Sequence, residues 1–333
     1  MSIFITGITG FLGTHLVKEI RRRYPSKRIT ALILPSEKEK SKEYANMNVD
    51  FVFGNLDSKE SLNECLEGID SVFHIAAVVD DLSPLSSFYS INHTGTVNLL
   101  DEFVRAGSKN FVYVSTAGVY GFDLPDYPID ETYRVDLIPG YRESKYLGEQ
   151  EVFKYAEKFG FKASALRPPI IFGPRDHWAP TIFKLVESNR KFPFFSKGKV
   201  IYSYSFVDDV VETLIKMEES DKSNGEIFNH TSYLIERREL FETAAKICKV
   251  DFKSINLNYG LAMLVGFFGE LQWKLFKKRP LIDRYRVKQM GKSRMLSNKK
   301  IEKLLEITPQ KSFEKALTET YNWYVKNKKE QET

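Results

Sequence analysis

Cysteine is scarce. The two in 333 residues, Cys65 and Cys248, stand far apart, each within a helical pattern, which excludes a disulfide scaffold and reads as two reduced packing thiols. An excess of one charge sign is also lacking: 49 basic against 44 acidic residues leave a formal charge of +5 spread along the chain. That balance argues against a nucleic-acid binder defined by a basic face. The triplet Arg21-Arg22-Arg23, with Lys27 and Arg28 nearby, reads as the solvated C-terminal end of a first helix, where the dipole favours cations. No apolar run approaches the ~20 residues needed to span a bilayer. No signal peptide precedes a first strand that begins at residue 2, so the expected compartment is cytoplasmic. No metal site is expected, and the expected partner is a small-molecule substrate.

What the sequence does hold is organised around Ser2 to Gly13. A short run of β-formers, Ile3-Phe4-Ile5-Thr6, leads directly into Gly7, Gly10 and Gly13, and an amphipathic segment with Leu12, Leu16, Val17 and Ile20 follows. This is strand, turn and helix, arranged so that a pyrophosphate can approach main-chain N–H groups at the positive end of the helix. The turn residues Gly7, Gly10, Phe11, Leu12 and Gly13 are therefore candidate dinucleotide contacts. At 333 residues the chain holds one large α/β unit and a smaller attached part. The predicted fold is a Rossmann-like, doubly wound parallel sheet with helices on both faces. Residues 1–175 would form the NAD(P)-binding part with the catalytic residues, and 176–330 mainly the substrate-binding part, with some segments returning to the first.

Arg28 to Leu34 reads as the second strand, and its end is where an adenosine ribose would lie. Ser36 and Lys38 stand there and could together hold a phosphate, which tilts the expected cofactor from NAD toward NADP. Val49 to Phe53 is a third strand, followed by Asn55-Leu56 and a helix from about 58 to 66. Val72 to Ala77 is the fourth, and small Ala76 and Ala77 at its end let the backbone lie against the cofactor. His74 reads as an interior histidine. A long helix is expected from about 85 to 106, with Asn92 in its middle despite a low helix propensity.

The fifth strand, Phe111 to Ser115, ends in hydroxyls at the edge where open α/β sheets bind ligands. Further on, Tyr141 and Lys145 are four residues apart at the start of a helix and share one face. A phenol titrates near 10, and an adjacent ammonium favours its phenolate, so the pair suits proton exchange with a substrate oxygen. Thr116 would hold that oxygen and Lys145 would also bind the nicotinamide ribose. Ser115 points to the opposite face by strand alternation.

The glycine turn, the strand-end hydroxyls and the Tyr141–Lys145 pair together resemble the extended short-chain dehydrogenase/reductase superfamily, the NAD-dependent epimerase/dehydratase group. The resemblance covers essentially the whole chain. It implies that Asn55 stands where relatives carry an adenine-binding aspartate, and that Asn92 braces the active site. It also implies that the backbone at Pro168 and Ile171 contacts the nicotinamide carboxamide, and that the helices holding Asn92 and Tyr141 pair in a homodimer. Phe206-Val207-Asp208-Asp209-Val210 is similar to the start of the family's second domain, with Asp208 or Asp209 capping the helix that follows. Ser203, Tyr204 and Ser205 replace the arginine that clamps a diphosphate in many nucleotide-sugar epimerases. Phe172 to Asp176 and the tail are similar to the dihydroflavonol reductase and 3β-hydroxysteroid dehydrogenase branch.

The expected activity is therefore hydride transfer between a nicotinamide and a secondary alcohol or ketone of a hydrophobic, steroid-like or flavonoid-like molecule. A nucleotide-sugar epimerase or dehydratase using the same triad is the alternative, and a non-catalytic dinucleotide sensor stands last. The apolar run Leu261 to Gly269, followed by Lys274, Lys277, Lys278 and Arg279, is expected to form a core helix or pocket lining, with contact to a membrane surface as the lesser reading.

Overall fold

In the computed structural model, which describes residues 2–80, 82–188, 190–276 and 283–332, seven strands form one sheet. They are β1 (Ile3–Thr6), β2 (Ile29–Ile33), β3 (Val49–Phe53), β4 (Ser71–His74), β5 (Asn110–Val114), β6 (Lys162–Arg167) and, after an excursion, Glu226–Asn229. Before the last of these come β7 (Ile170–Phe172), β8 (Phe192–Phe195) and β9 (Ile201–Phe206), so it is β10. Then follow β11 (Tyr233–Glu236) and β12 (Ser254–Leu257). The order across the large sheet is β10-β6-β5-β4-β1-β2-β3 and every pairing is parallel. The order reverses between β1 and β4, which opens a crevice at their C-terminal ends, the place where such sheets bind ligands.

Strand alternation explains the two layers. Ile3 and Ile5 pack with Leu16, Val17 and Ile20 of the Phe11–Arg23 helix and with Val210 and Leu214 of the Val207–Glu219 helix. Phe4 faces the other way, into Leu99, Leu100 and Phe103 of the Gly95–Arg105 helix. Both sheet faces are thus covered, as an all-parallel sheet requires. A further aromatic core around Phe172, Phe183, Tyr204 and Phe241 supports a three-stranded sheet, β11-β9-β7, and a two-stranded pair, β12-β8.

Several expected boundaries shift. The helix expected from 58 to 66 is regular only over Lys59–Leu62. The expected 85–106 helix runs without interruption from Leu85 to Arg105, but its middle, Tyr89–Thr94, is π-helical. Asp208 and Asp209 do not cap their helix: Asp209 instead accepts from Ser232 Oγ at 2.6 Å, and Asp208 from Lys311 Nζ at 2.9 Å. The arginine triplet is less solvated than expected, because Arg21 donates to the carbonyls of Met47 at 2.7 Å and Asn48 at 2.9 Å. Both cysteines are free, and burial pushes the Cys65 thiol up to about 12.

One buried ion pair ties three elements beneath the C-terminal edge of the sheet. Arg167, at the end of β6, forms a fork onto Glu149 of the Tyr141–Phe159 helix, with Nε–Oε2 at 2.9 Å and Nη2–Oε1 at 2.5 Å. Arg167 Nη1 also donates to Tyr120 Oη at 2.9 Å, which donates to Asn229 of β10 at 2.8 Å. Glu149→Leu, which strands the guanidinium, is expected to cost about 3–5 kcal/mol in urea unfolding. The double variant Glu149→Leu/Arg167→Met should lose clearly less, and an equal or larger loss would contradict this account.

Candidate active site

The glycine turn is built by close approach. Gly7 has φ +76°, and a Cβ there would sit 2.8 Å from Ala76 N; a Cβ on Gly13 would sit 2.1 Å from Gly7 O. Gly10 differs. A Cβ there would meet only Gly7 O at 3.3 Å, on an exposed residue that precedes the helix N-terminus, so a phosphate rather than protein is what its bare backbone admits. Below the turn, Tyr44 Oη donates to Ile8 O at 2.8 Å, and Thr14 Oγ1 donates to Gly10 O at 2.8 Å. Phe11 is half-exposed over this opening and Leu12 is buried in the core.

The other sequence-derived cofactor positions line up along the same sheet edge. Asn55 is half-buried with its N–H fixed by Ser61 Oγ at 2.9 Å, and Leu56 is buried beneath Gly95, its carbonyl accepting from Asn98 Nδ2 at 2.9 Å. Ala76 and Ala77 are half-buried, and the N–H groups of Ile75 and Ala76 both reach Thr6 Oγ1 at 3.1 Å. His74 is interior and satisfied at both nitrogens, by Thr6 Oγ1 at 2.7 Å and Thr96 Oγ1 at 2.9 Å; burial holds it well below its ordinary range, and so neutral. At the end of β2, Ser36 and Lys38 are exposed, and Lys38 lies over the Phe53 ring. Glu37, which the sequence reading passed over, turns inward and accepts from Thr9 Oγ1 in the glycine turn at 2.9 Å. Burial disfavours the charge on Glu37, but hydrogen bonds from Lys40 and Thr9 prevail and hold its carboxyl below the usual value.

Thr116 and Tyr141 face one cavity of about 310 Å³. Thr116 caps the short turn Ala117–Tyr120 by accepting from Gly118 N at 3.1 Å, and Ala117 N donates to Pro168 O at 2.9 Å. Pro168 therefore lines the cavity, whereas Ile171 packs on the first core from the other face of β7 and is not part of its wall. Ser115 is buried outside the cavity. Tyr141 opens its helix directly after Gly140, whose φ of +103° makes the sharp entrance.

Asn92 is what holds this corner. Its Oδ1 accepts from Val78 N at 2.8 Å, and its Nδ2 donates to Val78 O and to Ser144 Oγ, both at 3.0 Å. The π-helical stretch thereby joins the loop after β4 to the first turn of the tyrosine helix. Irregular helix of this kind recurs at functional sites.

Lys145 is 1% exposed, and its Nζ has no hydrogen-bond partner among the described residues. It lies 4.1 Å from the centroid of the Tyr113 ring. Burial pushes its ammonium down to about 7, with Glu149 pulling the other way. An unpaired buried donor next to a glycine cradle fits a dinucleotide whose ribose hydroxyls would accept from it. The residues present therefore fit a nicotinamide cofactor.

Two functional candidates escaped sequence reading. Arg142 and Arg294 both line the cavity, with Leu124, Ile170 and Leu296 forming part of its apolar wall. Both guanidiniums lie over the Phe122 ring, at 4.3 and 5.0 Å, and Arg294 also lies 4.9 Å from the Tyr202 ring. Arg294 arrives beside the serines ahead of Phe206 because its strand-like segment bridges to Tyr202 and its carbonyl accepts from Ser203 N at 2.9 Å. An arginine thus stands beside that stretch although none occurs within it.

The model of the NAD dependent epimerase/dehydratase family matches residues 3–230. The chain belongs to that family. Its members are NAD-dependent dehydrogenases, epimerases and dehydratases acting on CH–OH groups, and this chain is an NAD(P)-dependent enzyme of that kind. It is 26% identical over 340 residues to the decarboxylating sterol-4-alpha-carboxylate 3-dehydrogenase of Candida albicans, covering 97% of each chain. It is also 26% identical over 294 residues to the N-acetyl-alpha-D-glucosaminyl-diphospho-ditrans,octacis-undecaprenol 4-epimerase of Escherichia coli O157:H7, covering 86% of this chain and 85% of that one. Among solved structures, UDP-glucose 4-epimerase of Thermotoga maritima with UDP-glucose superposes with a TM-score of 0.79 at 23% identity, over 98% of this chain and 99% of that one. That likeness is one of fold.

Lys145 makes the stability of this family member depend on pH in a defined direction. Its native value near 7 lies below the ordinary lysine value, so between about pH 10 and 7 the unfolded chain binds the extra proton. Stability contributed at this site falls as pH drops through that window and is constant below it. Lys145→Met removes the penalty. Its melting temperature should exceed that of the native chain by several degrees at pH 7, the gap closing toward pH 10 in parallel thermal melts; a gap independent of pH would contradict the assignment.

Proposed function

We propose that the chain moves a hydride between NAD and a secondary alcohol or ketone on a lipophilic molecule that also carries an anionic group. The observation that carries this reading is the shared cavity, which Thr116 and Tyr141 line together with two arginines and apolar side chains. Arg142 and Arg294 lie over one ring, and their guanidiniums offer fork-shaped hydrogen bonding to an anion. In this reading residues 1–175, with the returning helix and β10, hold the nucleotide, and the smaller sheets hold the substrate. The helical stretch 85–105, which holds Asn92, and the Tyr141–Phe159 helix form the homodimer surface.

Bound nicotinamide supplies hydride acceptance or donation at C4. Thr116 holds the substrate oxygen by hydrogen bonding, and Tyr141 exchanges a proton with it at the phenolic oxygen. Lys145 favours the phenolate through its charge and donates to the ribose. Asn92, through Ser144 and Val78, fixes where the tyrosine helix begins. Glu37 supports NAD over the NADP suggested by Ser36 and Lys38. Its inward carboxylate can accept from ribose hydroxyls and would repel a ribose phosphate. NAD should therefore bind at least about 10-fold tighter than NADP in direct titration, a ratio of ~1.4 kcal/mol, and Glu37→Ala should narrow it. A preference for NADP in the native chain would overturn this assignment.

A second reading keeps the same catalytic residues and assigns the arginine pair to the diphosphate of a nucleotide- or lipid-linked sugar, with the hydride returned to the substrate. Arg294 beside Ser203 favours it over what the sequence alone allowed. The deciding experiment follows absorbance of NADH with amphiphilic keto acids, and analyses nucleotide- and lipid-linked sugars for products in parallel. Net oxidation of NADH with the keto acids supports the dehydrogenase; sugar conversion without net oxidation transfers the chain to the second reading. In either assay Tyr141→Phe should lower turnover about 10³-fold while leaving NAD affinity unchanged, and undiminished turnover would remove Tyr141 from the chemistry.

A further inference from the structure

The helix Tyr259–Phe276 meets the expectation of core helix or pocket lining on one side only, where Ala262 joins a small core and Met263 lines a cavity. Leu261, Leu264, Val265, Phe268 and Leu271 follow helical spacing along one face and are between 44 and 61% exposed. Phe267 and Trp273 flank that face and are also exposed. The inner face is occupied differently. Ala262 is buried and Met263 packs with Phe195 and Val287. Gly266 lies against the backbone of Arg284, where a Cβ would meet Arg284 N at 2.8 Å, and Glu270 accepts from Arg284 Nε at 2.9 Å. The helix is therefore held by one side and presents a row of large apolar side chains on the other.

We propose that this outer face docks in the headgroup region of an anionic lipid bilayer. Charge supports that occupant. Arg284 is balanced by Glu270 and Arg294 turns to the Phe122 and Tyr202 rings, but Lys288 and Lys292 share one carboxylate, Asp123, which leaves positive charge in excess beside the helix. Lys277, Lys278 and Arg279, part of the sequence expectation, lie outside the described residues. A large apolar face bordered by basic side chains is the pattern of a helix lying in a membrane interface. A second copy of the chain is the poorer occupant, because a twofold contact would bring these basic borders together. The helix lies on the membrane rather than across it: among the described residues, no helix is long and apolar enough to span a bilayer.

The docking face is also close to the chemistry. Met263, Glu270, Arg284 and Lys288 line a cavity of about 450 Å³ together with Phe122. Phe122 is the ring over which Arg142 and Arg294 sit. The Phe122 ring thus stands between this cavity, which Asp123 and Asp136 also line, and the proposed anion site. The docking itself does not rest on the proposed reaction.

Flotation of the full chain with vesicles of phosphatidylcholine alone, and of phosphatidylcholine and phosphatidylglycerol at about 3:1, tests the proposal. At least 10-fold more protein should float with the anionic vesicles, less at high salt, and Trp273 emission should shift to the blue, a change absent in Trp273→Phe. The exposed double variant Leu264→Glu/Phe268→Glu should lose at least 10-fold of the binding while keeping its circular dichroism and NAD affinity. Tyr141→Phe should float like the native chain, which separates failure of docking from failure of the reaction. Flotation with neither vesicle, or equal flotation of the double variant, would overturn the proposal. So would a dimer that the double variant dissolves while vesicles bind neither form, which would give the face to a second copy.

Discussion

An ammonium group buried without a hydrogen-bond partner is the constraint around which this site is arranged. Lys145 is enclosed by the Tyr113 ring, and the nearby Glu149 is already engaged in a two-point contact with Arg167. The carboxylate that would naturally pair with the lysine is thus committed elsewhere. Its field still reaches Lys145, while its lone pairs serve the guanidinium. Such an arrangement is costly in the isolated protein, and costly unpaired donors cluster where a ligand completes them. The rest of the corner prevents escape. Tyr113 Oη donates to Lys145 O at 3.1 Å, and Gly148 lets the helix approach so closely that a Cβ there would meet Asn92 O at 2.6 Å.

The same economy governs the glycine turn. Gly7 and Gly13 are required by protein atoms, since added side chains would strike Ala76 and the carbonyl of Gly7. Gly10 is not crowded to that degree, so its lack of a side chain is explained by what approaches from outside. Thr6 bridges these two halves of the site. It caps the N–H groups after β4 and bonds His74, so the crevice at the reversal of strand order is held by a buried chain of hydroxyl and imidazole groups that burial keeps uncharged. A charged histidine there would set a second cation against Lys145.

Much of this was legible in the sequence because it depends on local rules. The unbroken apolar run Ile3-Phe4-Ile5 announces a strand buried on both faces, and the three-residue glycine spacing announces the turn. The four-residue separation of Tyr141 and Lys145 places them on one helix face before any fold is known. What stayed hidden depends on distant segments or on which way one side chain turns. Glu37 sits between Ser36 and Lys38 and looks like loop until the fold brings Thr9 to it. Asn92 advertised an interruption, but its low propensity could not say that the helix would widen into a π turn. Arg294 is invisible as a site residue because only β9 pairing brings it beside Ser203. The Tyr259–Phe276 helix reads as core by composition. Composition carries no direction, and only packing against the Arg284–Gly291 helix reveals which face is left outside.

The arginines and the lysine together explain why a site built for an uncharged functional group is so positive. Lys145, Arg142 and Arg294 all come to the C-terminal edge of the sheet, while Arg167 cancels the charge of Glu149. Positive charge in a partly desolvated cavity acts over several ångströms with little screening. In the proposed reading it selects ligands that carry negative charge of their own. The apolar wall selects in the other direction, against small hydrophilic anions. In the proposed reading, a molecule that satisfies both is amphiphilic, with its anionic group near Arg142 and Arg294 and its carbinol carbon near Thr116 and Tyr141. Polarity in this cavity therefore constrains the substrate more tightly than the catalytic residues do, because the same three side chains can serve oxidation, reduction or epimerisation alike.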